Sequence, residues 1–160
     1  MIVLIDTGVL GLLCNPNPSN SKEARECLEW LDSLLMKSRR PISSEICEYE
    51  LRRNLVQEKL KNSSSLSRKS LQILDSFHDN GFPEFLPISR DVLIEAANIW
   101  AKVRVSGQPT STKENLDADC IIGAHYRLLK EESPGQDVVI ATTNIKHLSR
   151  FSNAMTWREI

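Results

Sequence analysis

The chain opens on an apolar run, Met1-Ile2-Val3-Leu4-Ile5, that stops at a carboxylate, Asp6. A run of this length reads as a strand covered on both faces, here delivering an acid to its own carboxyl end. A second such run, Val138-Val139-Ile140-Ala141, ends in Thr142-Thr143-Asn144. Between them the spacing changes to the 3.6-residue period of helices. Ser21 to Met36 sets Ala24, Leu28, Leu31 and Leu35 on one stripe, and a helix capped by Ser89 and running through Arg104 does so with Val92, Ala96, Ile99 and Val103.

Weaker signals fill the intervals. Val9 to Cys14 predicts a short helix, ended by Asn15-Pro16-Asn17-Pro18. Pro41-Ile42-Ser43-Ser44 predicts a second strand, with Ser43 or Ser44 capping a helix from Glu45 to about Lys61. Ser63-Ser64-Ser65 interrupts the pattern and Leu66 to Phe77 resumes it, which predicts a helical hairpin with an exposed tip. Phe85-Leu86-Pro87-Ile88 reads as a strand that its proline confines to a sheet edge. Ser106 to Asn115, with Gly107 and Pro109, reads as a surface loop, Leu116 to Lys130 as a helix, Asn144 to Arg150 as a short helix, and Ala154 to Trp157 as a last strand. Strands alternating with helices imply a three-layer α/β/α domain around a parallel sheet, with residues 1–160 forming that one domain.

Composition narrows the class without naming a chemistry. The 160 residues are 41% hydrophobic and 26% charged, enough for one core, and no apolar run approaches the roughly 18 residues of a membrane span. With no basic leader ahead of the first strand, a soluble cytoplasmic protein is expected. The formal net charge of -1 excludes binding nucleic acid through bulk positive charge, so any such contact must be local. Cys14, Cys27, Cys47 and Cys120 have no CxxC or Cys/His spacing, and neither a zinc site nor a disulfide frame is expected.

Candidate chemistry gathers at four places. Asp6 stands at the carboxyl end of a strand, where α/β sheets collect ligands, although Asp is also a common helix cap. In Glu45 to Leu55 the inward stripe is Cys47, Leu51 and Leu55. Glu45 points away from it and Glu48 and Glu50 flank it, so periodicity leaves two candidates and a solvated face as the bland alternative. Asp117 and Asp119 open an apolar helix, where the dipole favours ionised acids. Gly123 leaves space beside Asp119, which points to Asp119 for chemistry and Asp117 for capping or support. Thr142, Thr143 and Asn144 can cap the next helix or hold water.

Gathered carboxylates need a counter-charge. Two unit charges about 4 Å apart repel by roughly 4 kcal/mol at an effective dielectric near 20. A divalent cation relieves that, and an all-oxygen set with no His or Cys nearby suits Mg²⁺ or Mn²⁺. Such ions polarise phosphodiesters and activate water, so hydrolysis of a phosphodiester is the implied reaction.

These segments together resemble a PIN-domain nuclease. The resemblance is carried by Asp6-Thr7 on the first strand, Glu50-Leu51-Arg52-Arg53, Asp119-Cys120-Ile121-Ile122-Gly123-Ala124, and Thr142-Thr143-Asn144-Ile145-Lys146-His147-Leu148, in that order over nearly the whole chain. It selects Glu50 over Glu48 and implies a parallel sheet of about five strands with the acids at one end. It further implies a Mg²⁺- or Mn²⁺-dependent ribonuclease, similar to VapC-like toxins of type II toxin-antitoxin pairs, with a small antitoxin as partner and a homodimeric assembly. Asp6, Glu50 and Asp119 take the metal in this reading, and Thr142 or Asn144 positions the attacking water. Thr7, Asp117 and Arg53 support the site. Many family members carry a fourth acid where this chain has Asn144, an amide that can hold a metal-bound water but adds no negative charge for a second metal. Arg52, Arg53, Lys113 and Lys146 are the basic residues near the motifs.

Two other readings stand beside it. One is a catalytically idle PIN-like module that binds RNA or a protein. The other is a phosphotransfer domain of receiver or haloacid-dehalogenase type, disfavoured because Gly8 occupies the place of the second Asp and Lys146 lies beyond its strand.

Overall fold

The computed structural model describes residues 1–62, 65–106, 116–150 and 152–160. The Ser63-Ser64 hairpin tip, nearly all of the expected 106–115 loop and Lys113 therefore lie outside the described residues. Five strands, β1 (Ile2–Ile5), β2 (Arg40–Ser44), β3 (Glu84–Leu86), β4 (Val138–Thr142) and β5 (Ala154–Thr156), form one parallel sheet in the order β3-β2-β1-β4-β5. Among the described residues seven α-helices connect or flank them: α1 (Thr7–Leu13), α2 (Lys22–Met36), α3 (Glu45–Asn62), α4 (Ser65–Asn80), α5 (Arg90–Val105), α6 (Leu116–Glu132) and α7 (Ile145–Leu148).

The order of strands places the site. The chain winds from β1 outward to β2 and β3, then returns across the sheet to β4 and β5. Right-handed crossovers send the connections of the two halves to opposite faces, so a crevice opens between the carboxyl ends of β1 and β4. Register fixes what faces it. Ile5 pairs with Ala141, and the Asp6 amide donates to the Ala141 carbonyl at 3.0 Å, so Asp6 and Thr142 leave the sheet side by side.

The central strands are apolar because both faces are covered: Ile2, Val3, Leu4, Ile5, Ile140 and Ala141 are all buried. Burying each large aliphatic chain contributes about 1.5–3 kcal/mol. A second cluster, Val92, Ala96, Ile99, Leu116, Cys120 and Ala124, joins α5 to α6. On α2 the expected stripe is rotated. Ala24, Cys27, Trp30, Leu31 and Leu34 are buried while Leu35 is exposed, because Trp30 turns inward against Trp157 with ring centroids 5.8 Å apart. The caps are specific. Ser89 accepts from the Val92 amide at 3.3 Å, and Ser44 accepts from the Ile46 amide at 3.3 Å while Ser43 donates to the Ile5 carbonyl at 2.9 Å. All four cysteines are free and buried, and burial pushes the Cys47 thiol up to about 12. Among the described residues no helix is long and apolar enough to cross a membrane.

Candidate functional site

Asp6 is both a cap and a cavity group, so the two readings of it coincide. It is the N-cap of α1, and its Oδ1 accepts from the Thr7 amide at 2.7 Å. Its Oδ2 accepts from the Thr142 hydroxyl at 2.7 Å. Thr142 is fully buried and its Oγ1 also accepts from the Asn144 amide at 2.9 Å. The hydroxyl therefore orients the Asp6 carboxylate from behind, and Thr142 is not among the residues that line the cavity.

Glu50 reaches the same place from α3. Its Oε2 accepts from the Thr7 hydroxyl at 2.7 Å, and Arg53, one turn on, approaches its Oε1 at 3.4 Å. Glu48, the alternative that periodicity left open, turns to the neighbouring hairpin instead: it pairs with Arg52 at 2.7 Å and faces His78 at 3.5 Å. Arg52 also binds Asp75 at 2.7 Å, which ties α3 to α4 and takes Arg52 out of the cavity lining.

Asp119 comes from the first turn of α6. Its side chain is 17% exposed, and its Oδ2 lies 3.7 Å from His147 Nδ1. Asp117, two residues earlier, is exposed and lines a separate apolar cavity with Leu93, Trp100, Cys120 and Ile121. Helical spacing explains the separation, since residues two apart face different sides. Asn144 caps α7 by position but makes no side-chain capping bond, and its side chain lines the cavity.

The cavity measures about 220 Å³ and is lined by Asp6, Thr7, Glu50, Arg53, Asn54, Asp119, Asn144, His147 and Leu148. Asn54 and His147 escaped the sequence reading. Asn54 follows Glu50 by four residues and His147 follows Asn144 by three, the spacings at which helical residues share a face. That signal was present in the sequence, and the expectation of a site with no His nearby is corrected accordingly.

The electrostatics are those of crowded acids. Burial, opposed by the bonds from Thr142 and Thr7 and reinforced by Glu50, holds the Asp6 carboxyl above its ordinary range. Burial and then the charges of Asp6 and Glu50 push Asp119 up to about 7. Three carboxylates aimed at one cavity, one of them protonated near neutrality, form a donor set that fits a divalent cation. Among the described residues no three His, Cys, Asp or Glu side chains converge into a ready-made cage. An ion held here would keep several waters, as Mg²⁺ does.

The Thr142 hydroxyl serves two partners at once, so its loss has a defined cost. Thr142→Val keeps the shape but leaves Asp6 Oδ2 and the Asn144 amide each without a partner, and is expected to lower unfolding stability by about 1–3 kcal/mol. Urea denaturation checks this: the midpoint should fall at an unchanged slope.

No family model and no curated protein matches the chain. Solved structures do match over its full length. VapBC2 from Rickettsia felis, bound to a DNA fragment from its promoter, is 19% identical over 98% of this chain and 99% of that chain, with a TM-score of 0.65. VapBC-1 from nontypeable Haemophilus influenzae is 15% identical over 99% of each chain, with a TM-score of 0.65. FitAcB from Neisseria gonorrhoeae is 19% identical over 99% of each chain, with a TM-score of 0.64. With its five parallel strands in this order and this end-to-end correspondence, the chain has the PIN-like α/β fold that its motifs resemble.

Proposed function

We propose that this protein is a Mg²⁺- or Mn²⁺-dependent endoribonuclease and the toxin of a toxin-antitoxin pair. The observation that carries the reading is that Asp6, Glu50 and Asp119, from the end of β1, α3 and α6, all line one open cavity at the switch point of the sheet. Those three carboxylates are the residues that would hold the cation. When bound, a divalent cation supplies a counter-charge for the phosphoryl oxygens and acidifies water.

The chain's own groups set the geometry. Thr7 and Thr142 fix the Glu50 and Asp6 carboxylates by hydrogen bonds of 2.7 Å each, so the acids are oriented before any substrate arrives. Arg53 at the cavity and the exposed Lys146 on α7 give local positive charge for RNA phosphates on a protein whose net charge is -1. The Asn144 amide offers a neutral donor and acceptor beside the acids. The likeness to VapBC and FitAcB structures supports a small antitoxin as partner in the cytoplasm. A homodimer belongs to the same reading, with the apolar surface of Leu93 and Trp100 on α5 as one face available to it.

Cleavage of a mixed RNA pool by wild type and Asp6→Asn, with Mg²⁺, Mn²⁺ or EDTA, tests the proposal. Wild type should cleave only with metal, and the variant should not cleave. Cleavage in EDTA, or by Asp6→Asn, overturns it. Asn144 in place of the usual acid favours one alternative, an RNA- or protein-binding module without activity. Folded, partner-free wild type that binds RNA and leaves it intact establishes that alternative.

A further inference from the structure

We infer that His147 is a metal ligand of this site, pairing with Asp119 so that the protein selects a first-row transition ion such as Mn²⁺ over Mg²⁺. The inference rests on the proposed metal-dependent reading of the cavity and goes beyond it, because none of the three acids distinguishes these ions.

Four observations converge. First, the imidazole lines the cavity with all three acids, on a one-turn helix that begins directly after Asn144. Second, His147 Nδ1 and Asp119 Oδ2 stand 3.7 Å apart, too far for a hydrogen bond. Two bonds of about 2.1 Å span at most about 4.2 Å, so one ion can reach both atoms across this gap. Third, the ring is two-thirds buried, so it is presented to the cavity in a restricted orientation. Fourth, the side of the cavity next to α7 is lined by Asn144, His147 and Leu148, so it offers no carboxylate and its nitrogen donor is the His147 imidazole.

The chemistry of the donor decides the ion. Mg²⁺ demands oxygen ligands and gives up its waters reluctantly, so an imidazole adds little to its binding. Transition ions accept imidazole nitrogen readily, with affinity rising along the series from Mn²⁺. A mixed set of carboxylates and one imidazole therefore favours the transition ion, whereas carboxylates and an amide alone do not.

The test is direct observation of the Mn–N bond together with affinities for Mn²⁺ and Mg²⁺. Pulsed electron paramagnetic resonance of the Mn²⁺-loaded protein should show modulation from a directly bound ¹⁴N, which changes to that of ¹⁵N on selective labelling of histidine. His147→Ala and His147→Gln should abolish that modulation and weaken Mn²⁺ binding by about tenfold or more, leaving Mg²⁺ affinity nearly unchanged. Mn²⁺ binding without nitrogen modulation, or equal weakening of both ions in the two variants, overturns the inference. If ions bind and are lost in Asp6→Asn but not in the His147 variants, the inference fails while the metal-site reading stands. If folded wild type binds neither ion, both fail together.

Discussion

Asp119→Asn is expected to reduce RNA cleavage about 1,000-fold, corresponding to about 4 kcal/mol of lost transition-state stabilisation, and at the same time to stabilise the metal-free protein above neutral pH. The two effects have one cause. The Asp119 carboxyl is pushed from its ordinary 3.8 to about 7 by burial and by the charges of Asp6 and Glu50. Below about pH 4 the group is protonated in folded and unfolded chains alike, and no difference arises. Between about 4 and 7 only the folded chain keeps the proton, so stability falls as pH rises, and above about 7 the folded chain carries the full cost of ionisation. That cost has an upper limit of about 4 kcal/mol, which the neutral amide avoids.

His125 works in the opposite direction. Burial holds its pKa down near 4, so its contribution is present above about 6.5 and is lost as pH falls through about 4. Comparing wild type with Asp119→Asn cancels it. Denaturation of both proteins without metal from pH 4 to pH 8 should give curves that meet at the acidic end, separate progressively from about pH 4 to about pH 7 and run parallel above it, with the variant the more stable. Mg²⁺ or Mn²⁺ should then stabilise wild type at pH 8 and have little effect on the variant. A variant no more stable than wild type at pH 8 would show that the carboxylates do not oppose one another.

Gly8→Ala is the second substitution with a large expected effect, at a residue that bears no chemistry. A Cβ built on Gly8 collides with Thr143 Oγ1 and meets Thr143 Cβ at 3.3 Å. The first turn of α1 and the turn after β4 thus approach so closely that an added methyl group must displace the Thr143 side chain. Those two turns carry Asp6 and Asn144, so relief of the clash moves one wall of the cavity against the other. Overpacking of this kind costs about 1–3 kcal/mol. Displacement of positioned groups by about 1 Å reduces rate by up to about 100-fold, and a loss of cleavage in the range of about 10- to 100-fold is expected. Thr143→Ala in the same chain removes the hydroxyl that is struck and should recover most of both losses. A double variant as impaired as Gly8→Ala alone would place the damage elsewhere.

Gly8 also shows why part of the site was hidden. In the sequence it registers only as the residue that rules out a second strand-end Asp. Its structural role depends on Thr143, 135 positions away, and is created by the pairing of β1 with β4. The acids themselves were legible because each is tied to a local signal: Asp6 to the end of an apolar run, Asp119 to the start of a helix beside Gly123. Glu50 was legible only in part. Helical phase placed it and Glu48 on the two sides of one stripe, and their fates diverged through partners on other elements, Thr7 on α1 for Glu50, and Arg52 with His78 of α4 for Glu48.

The sequence by itself determined the alternation of strands and helices, the parallel sheet, and the acids at strand and helix ends, because apolar periodicity and capping are properties of neighbouring residues. Only the tertiary structure decided which acids share a cavity, that Asp117 faces away from it, that Thr142 stands behind Asp6, and that His147 joins the site. Those outcomes rest on strand order and register, which bring together residues from positions 6 to 147, and no local pattern encodes a distance between segments so far apart in the chain.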